Sequence, residues 1–181
     1  SRYPDPESLA DADPNEIAAS IHRLGIADRG RLFRGLGEHL VWLHRGRVPR
    51  SFQSLQSLPG VGRYTANAVR CFAYREPVAI LDTNVIRVLG RMFSIESRKS
   101  RPHTDDLLWV TAAEVIPPDH PITFNRALLD FAALVCTARN PRCQDCPVAP
   151  LCDYYARTSP RNAPAATLPD SSTIVAAQTS S

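Results

Sequence analysis

The chain has 181 residues, 44% of them hydrophobic, and a formal net charge of +3. This length supports a buried core in one domain or two small lobes, and no apolar run is long enough to form a membrane-spanning helix. Of the 21 basic residues, 20 are arginine and only Lys99 is lysine. Arginine suits bidentate phosphate contacts, although a GC-rich genome produces the same bias.

Apolar periodicity predicts helices throughout the first half of the chain. Residues 1–6 are predicted as an extended connector, so the sequence is expected to lack an N-terminal part. Pro14 begins a helix that Gly25 ends, and a longer helix over residues 28–44 stops at Gly46. Ser51 caps a short helix over residues 51–58.

The same periodicity continues in the second half. Helices are predicted over residues 62–74, from Asp82 or Thr83 through Met92, and over residues 104–115 and 121–135. Cys71 is predicted as a core residue. No segment shows strand alternation, and residues 158–181, rich in Ser, Thr, Pro and Ala, are predicted to be disordered. The fold class is therefore all-α.

Four cysteines near the C-terminal end form the strongest motif. They follow the pattern C-x6-C-x2-C-x5-C over seventeen residues and are Cys136, Cys143, Cys146 and Cys152. Four thiolates on one short loop can bind zinc or an iron–sulfur cluster, and their spacing does not choose between them. Two disulfides or free buried thiols are the third possibility, although clustered intracellular cysteines more often bind metal.

A Gly-x-Gly turn joins the short helix to the next one. Gly60 and Gly62 permit a sharp turn, and the backbone N–H groups that start the following helix favour an anion such as phosphate. Leu58 and Val61 are expected to pack the two helices together. Such a hairpin can hold a DNA backbone without reading sequence, but a turn of this kind is also common as a simple helix connection.

A carboxylate follows the apolar residues Ile80 and Leu81 and stands at the start of a helix. Asp82 is suited to an ordinary N-cap, and it is also a candidate functional carboxylate. Arg87, on the same helix, is either a solvated charge or a phosphate contact. The segment alone favours the structural roles for both residues.

The order and spacing of these three motifs resemble the helix–hairpin–helix base-excision DNA glycosylases, the superfamily of endonuclease III and adenine glycosylase. The resemblance covers residues 3–155. The matching residues are Leu58 to Arg63 of the hairpin, then Leu81, Asp82, Asn84, Val85, Arg87 and Val88, then Phe124, Asn125 and Asp130, and finally the four cysteines.

This resemblance implies two helical lobes with DNA in the cleft between them, and a [4Fe-4S] cluster on the four cysteines. The lobes are a partial barrel lobe with the hairpin over residues 1–76 and a lobe with the catalytic Asp and the cluster over residues 77–157. The implied catalytic residues are Asp82 and Tyr64. The implied DNA contacts are Leu58, Gly60, Val61, Gly62, Arg63, Thr65, Arg87, Arg139 and Arg142.

Tyr64 indicates whether the chain resembles the bifunctional or the monofunctional glycosylases of this superfamily. Bifunctional members of the superfamily carry at this hairpin position a lysine whose amine attacks the sugar. Tyr64 cannot do so, and Lys99 lies well after the helix of Asp82, so a monofunctional glycosylase with no or weak lyase activity is predicted. The ending Leu151-Cys152-Asp153-Tyr154-Tyr155 resembles archaeal-type G:T mismatch thymine glycosylases.

The predicted function is excision of thymine or uracil opposite guanine in base-excision repair. Two alternatives remain open: excision of adenine opposite guanine or 8-oxoguanine, and a non-catalytic iron–sulfur protein that binds DNA. The expected partner is double-stranded DNA with a mismatched or damaged base. The protein is expected to be a monomer without membrane association, located in the cytoplasm of a prokaryote at the nucleoid.

Overall fold

The computed structural model describes residues 2–159, which form α-helices and short 3-10 turns without any strand. The helices are α1 (Pro6–Ala10), α2 (Pro14–Ile21), α3 (Gly30–His44), α4 (Phe52–Gln56), α5 (Arg63–Phe72), α6 (Thr83–Phe93), α7 (Asp106–Glu114), α8 (Pro121–Leu134) and α9 (Asp153–Thr158). The 3-10 turns are His22–Leu24, Ala27–Arg29, Pro102–Thr104 and Ala149–Leu151. The predicted all-α class is confirmed, and no helix within residues 2–159 is long and apolar enough to cross a bilayer.

The helix ends follow the predicted signals. Gly25 adopts a left-handed conformation (φ 71°) after the first 3-10 turn. Gly46 (φ 71°) follows Arg45 at the end of α3, and its N–H donates to the carbonyl of Leu40 at 2.9 Å. Ser51 caps α4 through its hydroxyl, which accepts the N–H of Ser54. These contacts satisfy backbone groups that the helices leave unpaired at their ends.

The first helix was missed by the sequence analysis, which expects a connector there. Asp5 and Ser8 form a reciprocal capping box around Pro6, a local signal that was present in the sequence. The helix packs closely on α3 at Gly37, where a Cβ atom would lie 2.7 Å from the backbone nitrogen of Ala10. Helix α9 was also missed. Ser159, at the start of the predicted tail, is buried, and residues 160–181 lie outside the described part.

The core consists of two hydrophobic clusters. The first joins α3, α4 and α5 and contains Leu40, Leu55, Leu58 and Ala66. The second joins α6, α7 and the segment before α6, and α8 packs against it; its buried members are Ala79, Leu81, Val85, Leu89, Leu108, Trp109, Ala112 and Ile116. One cluster lies on each side of the predicted lobe boundary at residues 76 and 77, which remains a prediction.

An extended segment, residues 78–81, crosses between the two clusters and leads directly into Asp82. It has no strand partner in the described chain, so side chains must satisfy its buried backbone groups. Asn125, on α8 and 1% exposed, accepts the N–H of Ile80 at 3.1 Å and donates to the carbonyl of Val78 at 3.1 Å. Asn67, on α5, donates to the carbonyl of Ala79 at 2.9 Å. Two helices therefore hold the segment from both sides.

We predict that Asn125→Ala lowers the free energy of unfolding by about 3 kcal/mol, because it leaves the backbone groups of Val78 and Ile80 buried without partners. Denaturant unfolding followed by circular dichroism measures this change. Thr123→Ala, at an exposed position of the same helix, is the control and should change stability far less. Equal losses in the two variants would contradict the bridging role of Asn125.

Candidate catalytic pocket and cysteine loop

Asp82 and Tyr64, the two predicted catalytic residues, line the same open pocket of about 430 Å³. The first turns of α5 and α6 form one side of this pocket, and the 3-10 turn before α7 forms another. The remaining lining residues are Gly62, Arg63, Leu81, Thr83, His103 and Trp109. The structure therefore brings together two residues that stand eighteen positions apart in the sequence.

Asp82 is the N-cap of α6 and also faces the pocket. One carboxylate oxygen, Oδ1, accepts the N–H groups of Asn84 at 2.9 Å and Val85 at 2.7 Å. The other, Oδ2, accepts the Nδ2–H of Asn84 at 2.8 Å. These bonds fix the orientation of a partly exposed carboxylate at the positive end of the helix dipole. The capping role expected from the sequence and a role in the pocket are thus compatible.

The hairpin turn has the geometry that the Gly-x-Gly pattern predicts. Gly60 has φ 76°, and a Cβ there would lie 2.5 Å from Leu32 Cδ2, so both conformation and space favour glycine. Gly62 is extended and starts α5 with no side-chain cap, and nothing stands within 4 Å of where its Cβ would be. The first N–H groups of α5 are consequently open to an anion.

The other hairpin residues that were predicted to act on DNA differ in how exposed their side chains are. Leu58 is 5% exposed and Val61 packs against the same cluster, so the side chains of these two residues support the turn from inside instead of facing DNA. Thr65 is exposed beside the turn. Tyr64, 42% exposed, presents its phenol ring to the pocket.

Arg63 joins the hairpin to α7 across the pocket. Its Nη1 donates to Asp106 Oδ1 at 2.7 Å, and its guanidinium lies 4.3 Å from the ring centroid of Trp109. The indole N–H of Trp109 in turn donates to the carbonyl of His103 at 2.8 Å. Arg63, predicted to contact DNA, is therefore engaged within the protein, where it fixes one wall of the pocket.

The four predicted metal-ligating cysteines line one cavity, together with residues of α6, α8 and α9. All four are free thiols, which excludes the disulfide alternative for this structure. Burial, reinforced by the three neighbouring thiols, raises the pKa of Cys143. A bound metal centre removes this cost because it takes up the thiolate charge. Within residues 2–159, no three His, Cys, Asp or Glu side chains converge on a single metal ion.

Two arginines of α6 connect the Asp82 helix to the cysteine loop. Arg87 donates to the carbonyls of Cys136 at 2.9 Å and Ala132 at 2.7 Å, and to Asn84 Oδ1 at 3.0 Å. The guanidinium of Arg87 is thus bound to acceptors inside the protein, and its DNA contact stays a prediction. Arg91 donates to Cys136 Sγ at 3.4 Å and to the carbonyl of Thr137 at 2.7 Å.

The predicted basic side chains of the cysteine loop are exposed. Arg139 and Arg142 lie between the first two cysteines, where Asn140 adopts a left-handed conformation (φ 52°). The hydroxyl of Thr137 donates to the carbonyl of Arg139 at 2.7 Å and tightens the turn. This part of the loop can present both guanidinium groups to a phosphate.

Several residues at these sites were missed by the sequence analysis. Arg91 lies one helical turn beyond Arg87, a spacing that could have placed it on the same face. Asn67 gave no signal, because its partner at Ala79 is fixed only by the tertiary structure. His103 and Trp109 reach the pocket from a separate turn and helix, which no local pattern connects to Asp82.

Comparison with known families matches two segments of the chain. A helix-hairpin-helix motif matches residues 43–72, and the iron-sulfur binding domain of endonuclease III matches residues 136–152. These segments contain the glycine turn and all four cysteines of the loop. The cofactor is therefore the [4Fe-4S] cluster of this domain, and the cavity that the four thiols share is suited to hold it.

Relatives of known function match most of the chain. Thymine-DNA glycosylase of Aeropyrum pernix is 42% identical over 157 residues, which are 85% of this chain and 70% of the relative. Thymine/uracil-DNA glycosylase of Pyrobaculum aerophilum is 45% identical over 160 residues, 86% of this chain and 70% of the relative. Adenine DNA glycosylase of Schizosaccharomyces pombe is 36% identical over 151 residues, 82% of this chain and 33% of the relative.

Solved structures share the fold. A thermostable thymine-DNA glycosylase superposes with a TM-score of 0.80 at 33% identity, covering 86% of this chain and 72% of that one. An endonuclease III in a non-covalent complex with DNA superposes with a TM-score of 0.75 at 28% identity and the same coverage. The pocket and the cysteine loop therefore belong to a fold that is known in complex with DNA.

We predict that Cys143→Ala lowers the iron and inorganic sulfide bound per protein molecule, because three thiolates remain where the cluster takes four. Anaerobic purification followed by iron and sulfide analysis measures the loss. Cys71→Ala is the control, since Cys71 is buried in the core and hydrogen-bonded to Asn125, outside the loop. Unchanged iron and sulfide in Cys143→Ala would exclude Cys143 as a ligand.

Proposed function

Since this chain belongs to the helix–hairpin–helix DNA glycosylases of the endonuclease III superfamily, we propose that it excises thymine or uracil opposite guanine. It is a mismatch DNA glycosylase of base-excision repair, which hydrolyses the N-glycosidic bond of the target nucleotide. The observation that carries the proposal is that Asp82 and Tyr64 share one pocket beside the open amides of the hairpin.

Binding begins at the DNA backbone. The uncapped N–H groups at the start of α5 and the exposed Arg139 and Arg142 are suited to hold phosphates without reading sequence. The target nucleotide then leaves the duplex and enters the pocket, a step that costs less for a mispaired base. The proposed path places DNA between the two lobes, and the two hydrophobic clusters support that division.

Asp82 supplies the electrostatic part of the reaction. Cleavage of the N-glycosidic bond builds positive charge on the deoxyribose, and a fixed carboxylate stabilises such charge without reorganising. The hydrogen bonds from Asn84 and Val85 hold Asp82 in one orientation. From there the carboxylate can also orient the attacking water, which adds to the sugar after the base has left.

Tyr64 defines the reaction as hydrolysis without strand cleavage. The phenol ring lines the pocket beside Asp82 but has no amine to form a Schiff base with the sugar. Lys99, the one lysine of the sequence, donates to the carbonyl of Thr104 at 2.8 Å and lies 4.0 Å from Asp106. These contacts support a monofunctional enzyme whose abasic product stays intact.

The four cysteines hold the cluster away from the reacting atoms. When bound, the cluster supplies four metal–thiolate bonds that fix the loop from Cys136 to Cys152, and with it the exposed Arg139 and Arg142. Arg87 and Arg91 connect the same loop to the helix of Asp82. A structural role in DNA binding is therefore proposed for the cluster, and no redox step on the base is required.

The relatives support the choice of base. The thymine and thymine/uracil glycosylases named above are 42% and 45% identical to this chain, compared with 36% for the adenine glycosylase. Adenine excision is the second candidate, because the adenine DNA glycosylase of Schizosaccharomyces pombe matches 82% of this chain. A non-catalytic DNA-binding protein would have no need for the oriented carboxylate of Asp82.

Partner and location follow from this function. The proposed partner is duplex DNA with a G:T or G:U mispair, bound by one protein molecule because each lesion presents a single target nucleotide. The proposed location is the cytoplasm of a prokaryote, in contact with the nucleoid. The archaeal source of the first two relatives supports this location.

We predict that Asp82→Asn lowers the single-turnover excision rate by about 100- to 1,000-fold and keeps DNA affinity. Asparagine is also an effective N-cap, so α6 should remain folded. The assay uses duplexes with G:T, G:U, A:G and A:8-oxoguanine pairs, each with and without alkali. Asp119→Asn, which changes an exposed aspartate outside the pocket, should excise at the parent rate.

The same panel tests the substrate. Breaks from G:T or G:U that appear only after alkali support the proposed activity. Breaks at adenine opposite guanine or 8-oxoguanine would assign the protein to the adenine branch. Full activity of Asp82→Asn would overturn the role of Asp82 whatever the base.

We predict that Tyr64→Lys introduces lyase activity, because the new amine stands beside Asp82 where it can attack the sugar and form a Schiff base. Borohydride treatment should then trap a covalent protein–DNA complex, and strands should break without alkali. Tyr64→Phe is the matched control and should give neither. Borohydride trapping by the parent protein would refute the monofunctional assignment.

A further inference from the structure

The loop between α6 and α7, residues 94–105, concentrates basic side chains beside the pocket. Arg98, Lys99, Arg101 and His103 fall within six consecutive residues. The sequence analysis assigned no role to this α6–α7 loop. Its only exposed acidic side chain is Glu96, which precedes the basic stretch.

Internal hydrogen bonds give the α6–α7 loop a fixed shape. The hydroxyl of Ser97 donates to Asp105 Oδ2 at 2.7 Å and accepts the N–H of Lys99 at 3.1 Å. Lys99 Nζ donates to the carbonyl of Thr104 at 2.8 Å. The hydrogen bond from Ser97 also lowers the pKa of Asp105, so this carboxylate keeps its charge to a lower pH than an isolated aspartate does.

The acidic side chains at the end of the α6–α7 loop are already paired, so two of its guanidinium groups have no partner in the described part of the chain. Asp105 caps α7 and binds Ser97, while Asp106 pairs with Arg63. Arg98 and Arg101 are exposed, and neither side chain has an acceptor or ion pair within the part of the chain that the structure describes. An ordered loop that presents unneutralised arginines is suited to bind an anion.

The α6–α7 loop contributes to the pocket that holds Asp82. His103 lines the pocket directly, and the indole of Trp109 donates to the carbonyl of His103. Gly62 and Tyr64, from the hairpin, line the same pocket. A nucleotide in the pocket would therefore stand close to both the hairpin amides and a loop whose arginines lie within five residues of His103.

We propose that the α6–α7 loop is a second DNA-backbone site, in which Arg98 and Arg101 bind phosphates next to the nucleotide in the Asp82 pocket. The inference rests on the proposed glycosylase function and adds a contact to it. Extruding one nucleotide strains the backbone on both of its sides. The hairpin holds one side, and the two arginines hold the other through charge-assisted hydrogen bonds to phosphate oxygens.

The test measures how DNA affinity depends on salt, because each phosphate contact contributes about 0.9 to the slope of log K against log salt concentration. The parent and the double variant Arg98→Gln/Arg101→Gln both carry Asp82→Asn, so that the DNA stays uncut. The probe is a duplex with one G:T mispair, titrated between low and moderate salt. We expect the slope to fall by about two in the double variant.

The control removes two charges at an exposed site outside the pocket and outside the matched hairpin and cysteine segments, with Arg75→Asn/Arg126→Gln. Asparagine suits the left-handed conformation of Arg75 (φ 61°), so the fold is preserved, and circular dichroism checks all variants. The control should keep the parent slope. A slope in Arg98→Gln/Arg101→Gln equal to that of the control would overturn the proposal. Failure of the protein with Asp82 intact to excise any base would refute the glycosylase function, and the slopes would still report the phosphate contacts.

Discussion

The placement of Asp82 depends on how the protein satisfies the backbone of the extended segment before it. Residues 79–81 are buried, two of them within the second hydrophobic cluster. Residues 78–81 pair with no strand in the described chain, so their polar groups need side-chain partners. Asn67 and Asn125 provide them from two different helices. Because both bridges end within four residues of Asp82, the packing of α5 and α8 fixes where α6 begins and hence where its carboxylate points.

From that starting point α6 connects the two sites of the molecule. Its first residues orient Asp82, and its later turns place Arg87 and Arg91 against the backbone and the first thiol of the cysteine loop. The hairpin is held differently, by Leu58 in the core and by the contact of Gly60 with Leu32. The protein thus holds both Asp82 and the hairpin turn in place, as the proposed reaction, which depends on positioning, requires.

The sequence predicted the features that local chemistry determines. Helix periodicity, the glycine turn, the N-cap at Asp82 and the spacing of the cysteines each depend on neighbouring residues, and the structure contains all four. The sequence could not predict contacts that only tertiary packing creates. The hydrogen bonds of Arg87 and Arg63 to acceptors on distant elements are of this kind. The contacts of Asn67, His103 and Trp109 were missed for the same reason.

The contacts of Arg63 also fix the width of the pocket. Its ion pair with Asp106 and its stacking on Trp109 join the hairpin to α7, so the two walls of the pocket are tied together without any ligand. Because the width of the pocket is fixed before binding, a nucleotide that enters it would bind at a lower entropy cost than one that the protein must close around. A group that requires a wider opening would first have to break the cation–π contact between Arg63 and Trp109, which would disfavour oversized bases before any atom reacts.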